Sequence, residues 1–212
     1  MAQQQHGAVA ATHTRVAIIG SGFSGLGMAI RLKEEGRHDF RIFEKEAGVG
    51  GTWRVNHYPG CACDVQSHVY SFSFEPNPEW TRMFAPRDEI RAYLEHCADK
   101  YRIRPHIHLS TALNRAEWDE DAALWRLQDE HGNRYTANML VSGMGALSTP
   151  TYPNVPGRER FEGKAFHSQD WDHDYELRGK RVGVIGTGAS AIQFVPELQK
   201  QASHLKVFQR SA

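Results

Sequence analysis

The chain has 212 residues, of which 40% are hydrophobic and 24% are charged, a composition typical of a globular protein. Lysine plus arginine equals aspartate plus glutamate at 25 each, so the basic excess of a nucleic-acid-binding protein is absent. No apolar run reaches the roughly 18 residues that a transmembrane helix needs. Residues 1–14 lack the basic start and apolar centre of a signal peptide, and we expect a flexible leader there. The three cysteines make no paired framework, which favours a reducing, cytoplasmic location.

The first elements of the chain follow a strand, turn, helix, strand order. A β-branched run at 15–19 predicts a strand, and the turn Gly-Ser-Gly-Phe-Ser-Gly at 20–25 follows it directly. The next residues predict a helix over 26–35, with Gly36 as its C-cap, and then a strand at 40–44. This order is typical of a βαβ unit whose glycine turn binds a dinucleotide.

The middle of the chain predicts loops, one helix and a small antiparallel sheet. A segment rich in glycine, proline and aromatic residues precedes a helix over 86–101, whose apolar stripe includes Ile90, Leu94 and Cys97. Further strand-like segments lie at 106–110, 113–118, 124–128 and 135–142. Because short polar turns separate the later segments, we expect an antiparallel β-meander over about 106–142.

A second strand, turn, helix, strand pattern begins after a proline-rich stretch. Three prolines between positions 150 and 156 predict a stiff connector. The elements of the second pattern are a strand at 181–185, a glycine turn at 186–191, a helix to about 201 and a strand at 205–209. Pro196 lies inside that helix and should cost it a hydrogen bond. The chain therefore holds two βαβ patterns, whose glycine turns start 166 residues apart.

The residue that ends each second strand distinguishes the two glycine turns. Glu44 lies 19 residues after Gly25, where a carboxylate accepts hydrogen bonds from a ribose diol and repels a 2′-phosphate, as for FAD or NAD. Arg210 lies 19 residues after Ala191, with Ser211 beside it, and an arginine can pair with a 2′-phosphate. A solvated surface charge is the alternative interpretation of Arg210. The simplest assignment is FAD at the first turn and NADPH at the second, with a hydride passing from nicotinamide to flavin.

A longer motif lies between the two glycine turns, where residues 161–172 read Phe-Glu-Gly-Lys-Ala-Phe-His-Ser-Gln-Asp-Trp-Asp. They match the FxGxxxHxxxW(P/D) fingerprint of Baeyer–Villiger monooxygenases at every defined position, namely Phe161, Gly163, His167, Trp171 and Asp172. Further similarity lies in Gly50–Trp53, Tyr58–Gly60, Cys63–Asp64 and Phe208–Arg210. The chain therefore resembles this family of class B flavoprotein monooxygenases over almost its whole length after the leader. N-oxygenating flavin monooxygenases are similar but usually carry Tyr or Phe at the position of Trp171.

The resemblance implies an α/β fold with two Rossmann-like dinucleotide-binding units, for FAD and NADP, and a small antiparallel β-meander. The domains that it implies are an FAD-binding domain over 15–147, a linker with the fingerprint over 148–175, and the start of an NADP-binding domain over 176–212. Because the second pattern stops at its second strand, we expect a truncated second unit. Relatives often carry Ala-Thr-Gly before the linker, where this chain has Gly143-Met144-Gly145.

The resemblance also implies which residues contact each cofactor. Those expected to bind FAD are Gly20, Ser21, Gly22, Phe23, Ser24, Gly25, Glu44, Lys45, Gly51, Thr52, Trp53, Asp64 and Tyr70. Those expected to bind NADPH are Gly186, Thr187, Gly188, Ala189, Ser190, Gln193, Arg210 and Ser211. His167 and Trp171 should couple domain motion to the cofactor rather than transfer protons. Asp64 is the expected catalytic carboxylate, paired with an arginine beyond residue 212; the alternative is a loop aspartate that caps a helix.

The activity implied by the resemblance is that of a monooxygenase acting on ketones. NADPH reduces FAD, the reduced flavin takes up O2 as a C4a-peroxide, and one oxygen atom enters next to a ketone carbonyl to give an ester or lactone. The expected partners are a small-molecule ketone and O2, with no nucleic acid, membrane span or metal. Two alternatives stay open: a flavin monooxygenase that oxygenates nitrogen or sulfur, and a catalytically incomplete fragment that binds FAD and NADP.

Overall fold

The first βαβ pattern is present in the computed structural model, which describes residues 11–210. Strand β1 (Thr12–Ile19) is followed by helix α1 (Phe23–Glu34) and by strand β2 (Phe40–Phe43), which lies parallel to β1. β1 starts inside the predicted leader, whose first ten residues lie outside the described part. Residues 12–14 join the strand because they pair with residues 135–137, a partner that local sequence does not reveal.

Two α-helices follow in the chain. Helix α2 (Thr52–Val55) is a single turn. Helix α3 (Arg87–Lys100) is the predicted long helix, and each of its ends lies within one residue of the predicted position. The predicted stripe residues Ile90, Leu94 and Cys97 are fully buried. Single-turn 3₁₀ helices lie at Ser67–Val69, Arg104–His106, Arg158–Arg160 and Ser168–Asp170.

The central strands complete one six-stranded sheet. They are β3 (Ile107–His108), β4 (Leu113–Asp119), β5 (Leu124–Asp129) and β6 (Arg134–Ser142). β4, β5 and β6 are antiparallel neighbours, but β3 lies parallel to β2 and β6 lies parallel to β1, in the order β3-β2-β1-β6-β5-β4. The prediction that the segment at 106–110 starts the meander is therefore wrong. Alternating hydrophobicity predicts a strand but not the strand with which it pairs.

Buried side chains lie on both faces of this sheet around β1 and β2. Ile18 and Ile42, which are paired across β1 and β2, are fully buried, as are Leu26 and Ile30 of α1. Successive residues of a strand point to opposite faces. The opposite face accordingly carries a separate buried cluster of Ala17, Phe43, Leu127, Tyr135 and Ala137. The glycine turn after β1 is thus held between a packed sheet and a packed helix.

The second βαβ pattern consists of β7 (Arg181–Ile185), α4 (Ala189–Gln199) and β8 (His204–Phe208). β7 and β8 are parallel. Pro196 lies inside α4, as predicted, and the helix ends two residues before the predicted position. Within the described residues, no helix is long and apolar enough to cross a membrane.

Contacts between Cα atoms divide the chain into two compact units. The first unit contains residues 11–51 and 94–145, and the second contains residues 52–93 and 146–210. The segment 52–93, which we predicted within the FAD-binding domain, therefore clusters with the second βαβ pattern. The reason is a shared core, formed by Tyr58, Cys61, Trp171, Val184, Ala191, Phe194 and Leu198.

Candidate functional site

The glycine turn of the first unit has the close contacts that its motif requires. Gly20 adopts φ +91°, a conformation that favours glycine, and its N–H donates to the carbonyl of Phe43 at 2.8 Å. A Cβ on Gly25 would lie 1.8 Å from the Gly20 carbonyl oxygen, so only glycine permits this approach of α1 to the turn. The tight turn and the close helix are therefore present. The contact of these residues with a dinucleotide stays a prediction.

Hydrogen bonds from Ser21 hold the side chain of Glu44 against this turn. The Glu44 side chain is buried, and its Oε2 accepts hydrogen bonds from both the backbone N–H and the hydroxyl of Ser21, each at 2.7 Å. Its Oε1 accepts one from the backbone N–H of Glu46 at 2.9 Å. A carboxylate has about four acceptor positions, so the site retains capacity for a further donor at Oε1. A ribose hydroxyl is such a donor.

Two further glycine segments touch the turn. Gly51 has φ +52°, and a Cβ on it would lie 2.9 Å from the Cα of Gly22. A Cβ on Gly143 would lie 2.9 Å from the Ile19 carbonyl oxygen and 3.1 Å from the backbone nitrogen of Gly25. Gly143 therefore contacts the turn, whereas the sequence had indicated only that a small residue lies near the cofactor there. Its signal in the sequence was its position directly after a strand.

The other predicted FAD contacts of the first unit lie around the turn. Phe23 begins α1 and is half-buried, and Ser24 and Lys45 are exposed. The Lys45 ammonium lies 3.9 Å from a carboxylate oxygen of Glu46, the residue whose backbone N–H donates to Glu44. Lys45 thus places a positive charge directly after Glu44 in the sequence.

Thr52, Trp53, Asp64 and Tyr70, the remaining predicted FAD contacts, all lie in the second unit. Trp53 is buried and meets the Tyr70 ring edge to face at 5.5 Å between centroids. Burial raises the pKa of the Tyr70 hydroxyl. Asp64 is exposed, and the 3₁₀ turn that follows has Gln66 at its N-cap without a side-chain bond. The alternative in which Asp64 caps a helix is therefore wrong.

The second glycine turn is more open than the first. Gly186 has φ +113° and donates its N–H to the carbonyl of Phe208 at 2.9 Å, while Gly188 is the N-cap of α4. A Cβ built on either glycine would meet nothing within 4 Å. Ala191 is buried at the third motif position. Space is therefore present directly above the backbone of the turn, where a pyrophosphate would lie.

The side chains around this turn differ in exposure. Thr187 and Ala189 are exposed and Ser190 is half-buried. Arg210 is exposed two residues after the end of β8. Ser211, the other predicted contact of a 2′-phosphate, lies outside the described residues. An exposed guanidinium at this position is available to an anion, and its contact with NADPH stays a prediction.

Gln193 faces a loop of its own unit. Its Oε1 accepts hydrogen bonds from the Tyr58 hydroxyl at 2.9 Å and from the Ala62 N–H at 3.2 Å. Its Nε2 donates to the Ala62 carbonyl at 2.8 Å. The chain itself therefore occupies both ends of this amide. We had expected Gln193 to contact NADPH, and no local sequence signal indicated the loop.

One residue of the fingerprint, Trp171, is a buried tryptophan. Trp171 packs against Phe166 and Phe194, with ring centroids at 5.3 and 5.4 Å. His167 accepts a hydrogen bond at Nδ1 from the Gln169 N–H and meets the ring of Tyr152 at 5.6 Å. Trp171 is therefore a core residue of the second unit, and His167 caps the turn that precedes it.

The ends of the fingerprint are held by local contacts. The carboxylate of Asp172 pairs with the ammonium of Lys164 at 2.5 Å, which lowers the pKa of Asp172 and raises that of Lys164. A Cβ on Gly163 would lie 2.6 Å from the exposed ring of Phe161. Gly163 thus lets Phe161 fold back over the segment.

Two strand, glycine turn, helix units in one chain are typical of dinucleotide-binding proteins. A family model described as flavin-binding monooxygenase-like matches residues 13–212, and the chain belongs to that family. It is 68% identical over 202 residues to a Baeyer–Villiger monooxygenase of Pseudomonas aeruginosa and 54% identical over 199 residues to one of Streptomyces coelicolor. These alignments cover 95% and 94% of this chain and 38% of each relative. The resemblance inferred from the fingerprint is confirmed.

Solved structures agree with this assignment. The chain is similar to a steroid monooxygenase bound to NADP, with 42% identity and a TM-score of 0.85. It is also similar to a cyclohexanone monooxygenase from Rhodococcus sp. Phi1 bound to NADP+, with 36% identity and a TM-score of 0.87. Each comparison covers 95% of this chain and 39% of the solved one. The chain thus spans about two fifths of the length of the proteins that it matches.

Proposed function

We propose that this chain is part of a Baeyer–Villiger-type monooxygenase that uses FAD, NADPH and O2 to convert a ketone into an ester or lactone. The observation that carries the proposal is the pair of glycine turns, one with a buried acid and one with an exposed arginine, on a chain 68% identical to a Baeyer–Villiger monooxygenase. The complete Trp171–Asp172 ending of the fingerprint supports the same reaction.

The first turn fits the adenosine end of FAD. Glu44 is oriented by Ser21 and has acceptor capacity left for a ribose hydroxyl, and its charge disfavours a 2′-phosphate. The backbone of Gly22 is free of a Cβ where a pyrophosphate would approach the start of α1. These residues hold and orient the cofactor, and Ser21 keeps the acid in place.

The second turn fits NADPH. The open space above Gly186 and Gly188 lets a pyrophosphate approach the first N–H groups of α4. The Arg210 guanidinium supplies a positive charge for a 2′-phosphate. Bound flavin and nicotinamide supply the hydride and oxygen chemistry. The part proposed for Asp64 is to hold a cationic side chain by charge, since its own carboxylate is exposed and caps no helix.

A second candidate function is oxygenation of nitrogen or sulfur. It is favoured by one relative, a phenazine N-monooxygenase of Lysobacter antibioticus, which is 40% identical over 205 residues. We favour the ketone reaction because the two relatives with higher identity described above are named Baeyer–Villiger monooxygenases. The proposed cytoplasmic location rests on the low number of cysteines, three in 212 residues, which is typical of proteins from a reducing compartment.

The decisive experiment supplies the full-length protein with NADPH and ¹⁸O2 and offers cyclic, linear and steroid ketones beside a phenazine and a thioether. We expect an ester or lactone that carries one ¹⁸O atom, with NADPH consumed in equal amount. Oxygenation of the phenazine or thioether without an ester from any ketone would establish the second candidate instead. Absence of flavin from the purified protein would contradict both.

A further inference from the structure

Gln193 ties the helix after the second glycine turn to the loop Tyr58–Ala62. Three hydrogen bonds join its amide to that loop, two accepted by Oε1 and one donated by Nε2. The amide bonds both the N–H and the carbonyl of Ala62, the two backbone groups that a neighbouring β-strand would also bond. The loop is therefore held in one position relative to α4.

The backbones approach each other closely at the same place. Gly60 has φ +77°, and a Cβ on it would lie 2.8 Å from the Gln193 carbonyl oxygen. Any other residue at position 60 would push the loop away from the helix. The side-chain bonds of Gln193 and this backbone contact lie within a single turn of α4 and act on the same loop.

Tyr58 extends the contact to the beginning of α4. Its hydroxyl donates to Gln193 and also interacts with the side chain of Ser190, the second residue of the helix. Its ring packs against Phe194 with centroids 5.9 Å apart. Burial raises the pKa of Tyr58 to about 12.

Within the second unit, this arrangement connects the glycine turn that would bind NADPH with the segment that carries Asp64. Ser190 and Gln193 lie two and five residues after Gly188, over which the NADPH pyrophosphate would lie, and Asp64 follows Ala62 by two residues. We propose that Gln193 is a positioning residue. It couples the binding of NADPH at the second glycine turn to the position of the loop Tyr58–Ala62 and of Asp64, which follows that loop. The proposal rests on the proposed binding of NADPH at that turn and assigns Gln193 to the loop, in place of a direct contact with the nucleotide.

The test is hydrogen–deuterium exchange on the full-length protein, followed on peptides that cover residues 58–64, with and without saturating NADP+. In the unaltered protein, we expect NADP+ to slow exchange of this segment. In Gln193→Leu, the segment should exchange on the order of tenfold faster without ligand, because its hydrogen bonds are lost, and NADP+ should no longer protect it. The dissociation constant of NADP+ itself should change less than about threefold, since the amide faces the loop and not the nucleotide.

Matched variants separate coupling from a general loss of stability. Gln199→Leu removes an exposed glutamine from the end of the same helix and should leave both exchange and protection unchanged. Gln193→Glu keeps the acceptor for Tyr58 and should retain part of the NADP+ protection. If Gln193→Leu does not fold, Tyr58→Phe removes one bond while the ring packing stays, and it should weaken the protection.

Three results would overturn the proposal. The first is NADP+ protection of 58–64 that persists unchanged in Gln193→Leu. The second is tight NADP+ binding to the unaltered protein without any change in this segment. The third is a loss of NADP+ affinity of a hundredfold or more in Gln193→Leu, which would make Gln193 a direct ligand. Failure of the unaltered protein to bind NADP+ at all is a distinct outcome, and it would refute the proposed function together with the coupling.

Discussion

Ser21 donates two hydrogen bonds to the same carboxylate oxygen of Glu44, one from its backbone N–H and one from its hydroxyl, each at 2.7 Å. The second residue of the glycine turn thus orients the acid at the end of β2. A charged acceptor that is buried and bound in this way has one fixed position. This relationship makes Glu44 a preformed part of the turn and leads to the first prediction.

Glu44→Gln should weaken FAD binding roughly 10- to 100-fold, because hydrogen bonds to a charged acceptor are worth about 1.5–3 kcal/mol. The amide group would also place a donor opposite either the donors of Ser21 or the backbone N–H of Glu46. FAD titration followed by flavin fluorescence measures the effect. Glu35→Gln, an exposed change beyond the end of α1, is the control and should bind FAD as the unaltered protein does. Equal affinities for the two variants would contradict the role of Glu44.

Gly25→Ala should destabilise the first unit by about 3 kcal/mol or more, because its Cβ would lie 1.8 Å from the backbone carbonyl oxygen of Gly20, so that the backbone itself must shift. Thermal unfolding measures the loss. Gly183→Ala in β7 serves as the comparison, since the nearest atom to its Cβ is a ring carbon of Phe208 at 3.6 Å. A Gly25→Ala protein with unchanged melting temperature would show that α1 does not approach the turn as described.

Arg210→Ala should raise the KM for NADPH roughly 10- to 100-fold and leave the KM for NADH unchanged, because only NADPH carries the 2′-phosphate that the guanidinium would bind. Steady-state kinetics of the full-length protein with both nucleotides measure the preference. Lys206→Ala removes an exposed cation from β8 and is the matched control. An unchanged preference in Arg210→Ala would favour the alternative of a solvated surface charge.

Trp171→Ala should destabilise the second unit by about 3–5 kcal/mol, because it empties a buried position between Phe166 and Phe194. Thermal or denaturant unfolding monitors the change. Lys164→Met breaks the ion pair with Asp172, whose two side chains are 43% and 27% exposed, and should cost less than about 1 kcal/mol. A larger effect for Lys164→Met than for Trp171→Ala would mean that charge, not packing, holds the fingerprint.

Much of the secondary structure follows from local pattern. The strand at 181–185 has its predicted bounds, and α3 differs by one residue at each end. Such elements depend on interactions among neighbouring residues, which periodicity records. β1 is longer than predicted because Thr12–Thr14 gain hydrogen bonds from residues 135–137. Strand pairing over this distance has no counterpart in the local sequence.

The candidate site, too, was predicted from the sequence only in part. The glycine turns, and the positions of Glu44 and Arg210 at the ends of the following strands, were predicted from motif and spacing. The contact of Gly143 with the first turn, and the use of Gln193 by the Tyr58–Ala62 loop, were not. The sequence does not reveal which backbone groups an amide side chain will bind, because any exposed N–H or carbonyl is a suitable partner.

By itself, the sequence determined the order of the elements, the two glycine turns with an acid and an arginine after their second strands, and the fingerprint between them. These features depend on steric needs and spacing that act within about one supersecondary unit. The tertiary structure alone decided that β3 joins the parallel part of the sheet, and that Gln193 holds a loop 131 residues earlier in the chain. Such contacts form only when packing brings distant segments together, and the free energy that selects them comes from the whole core.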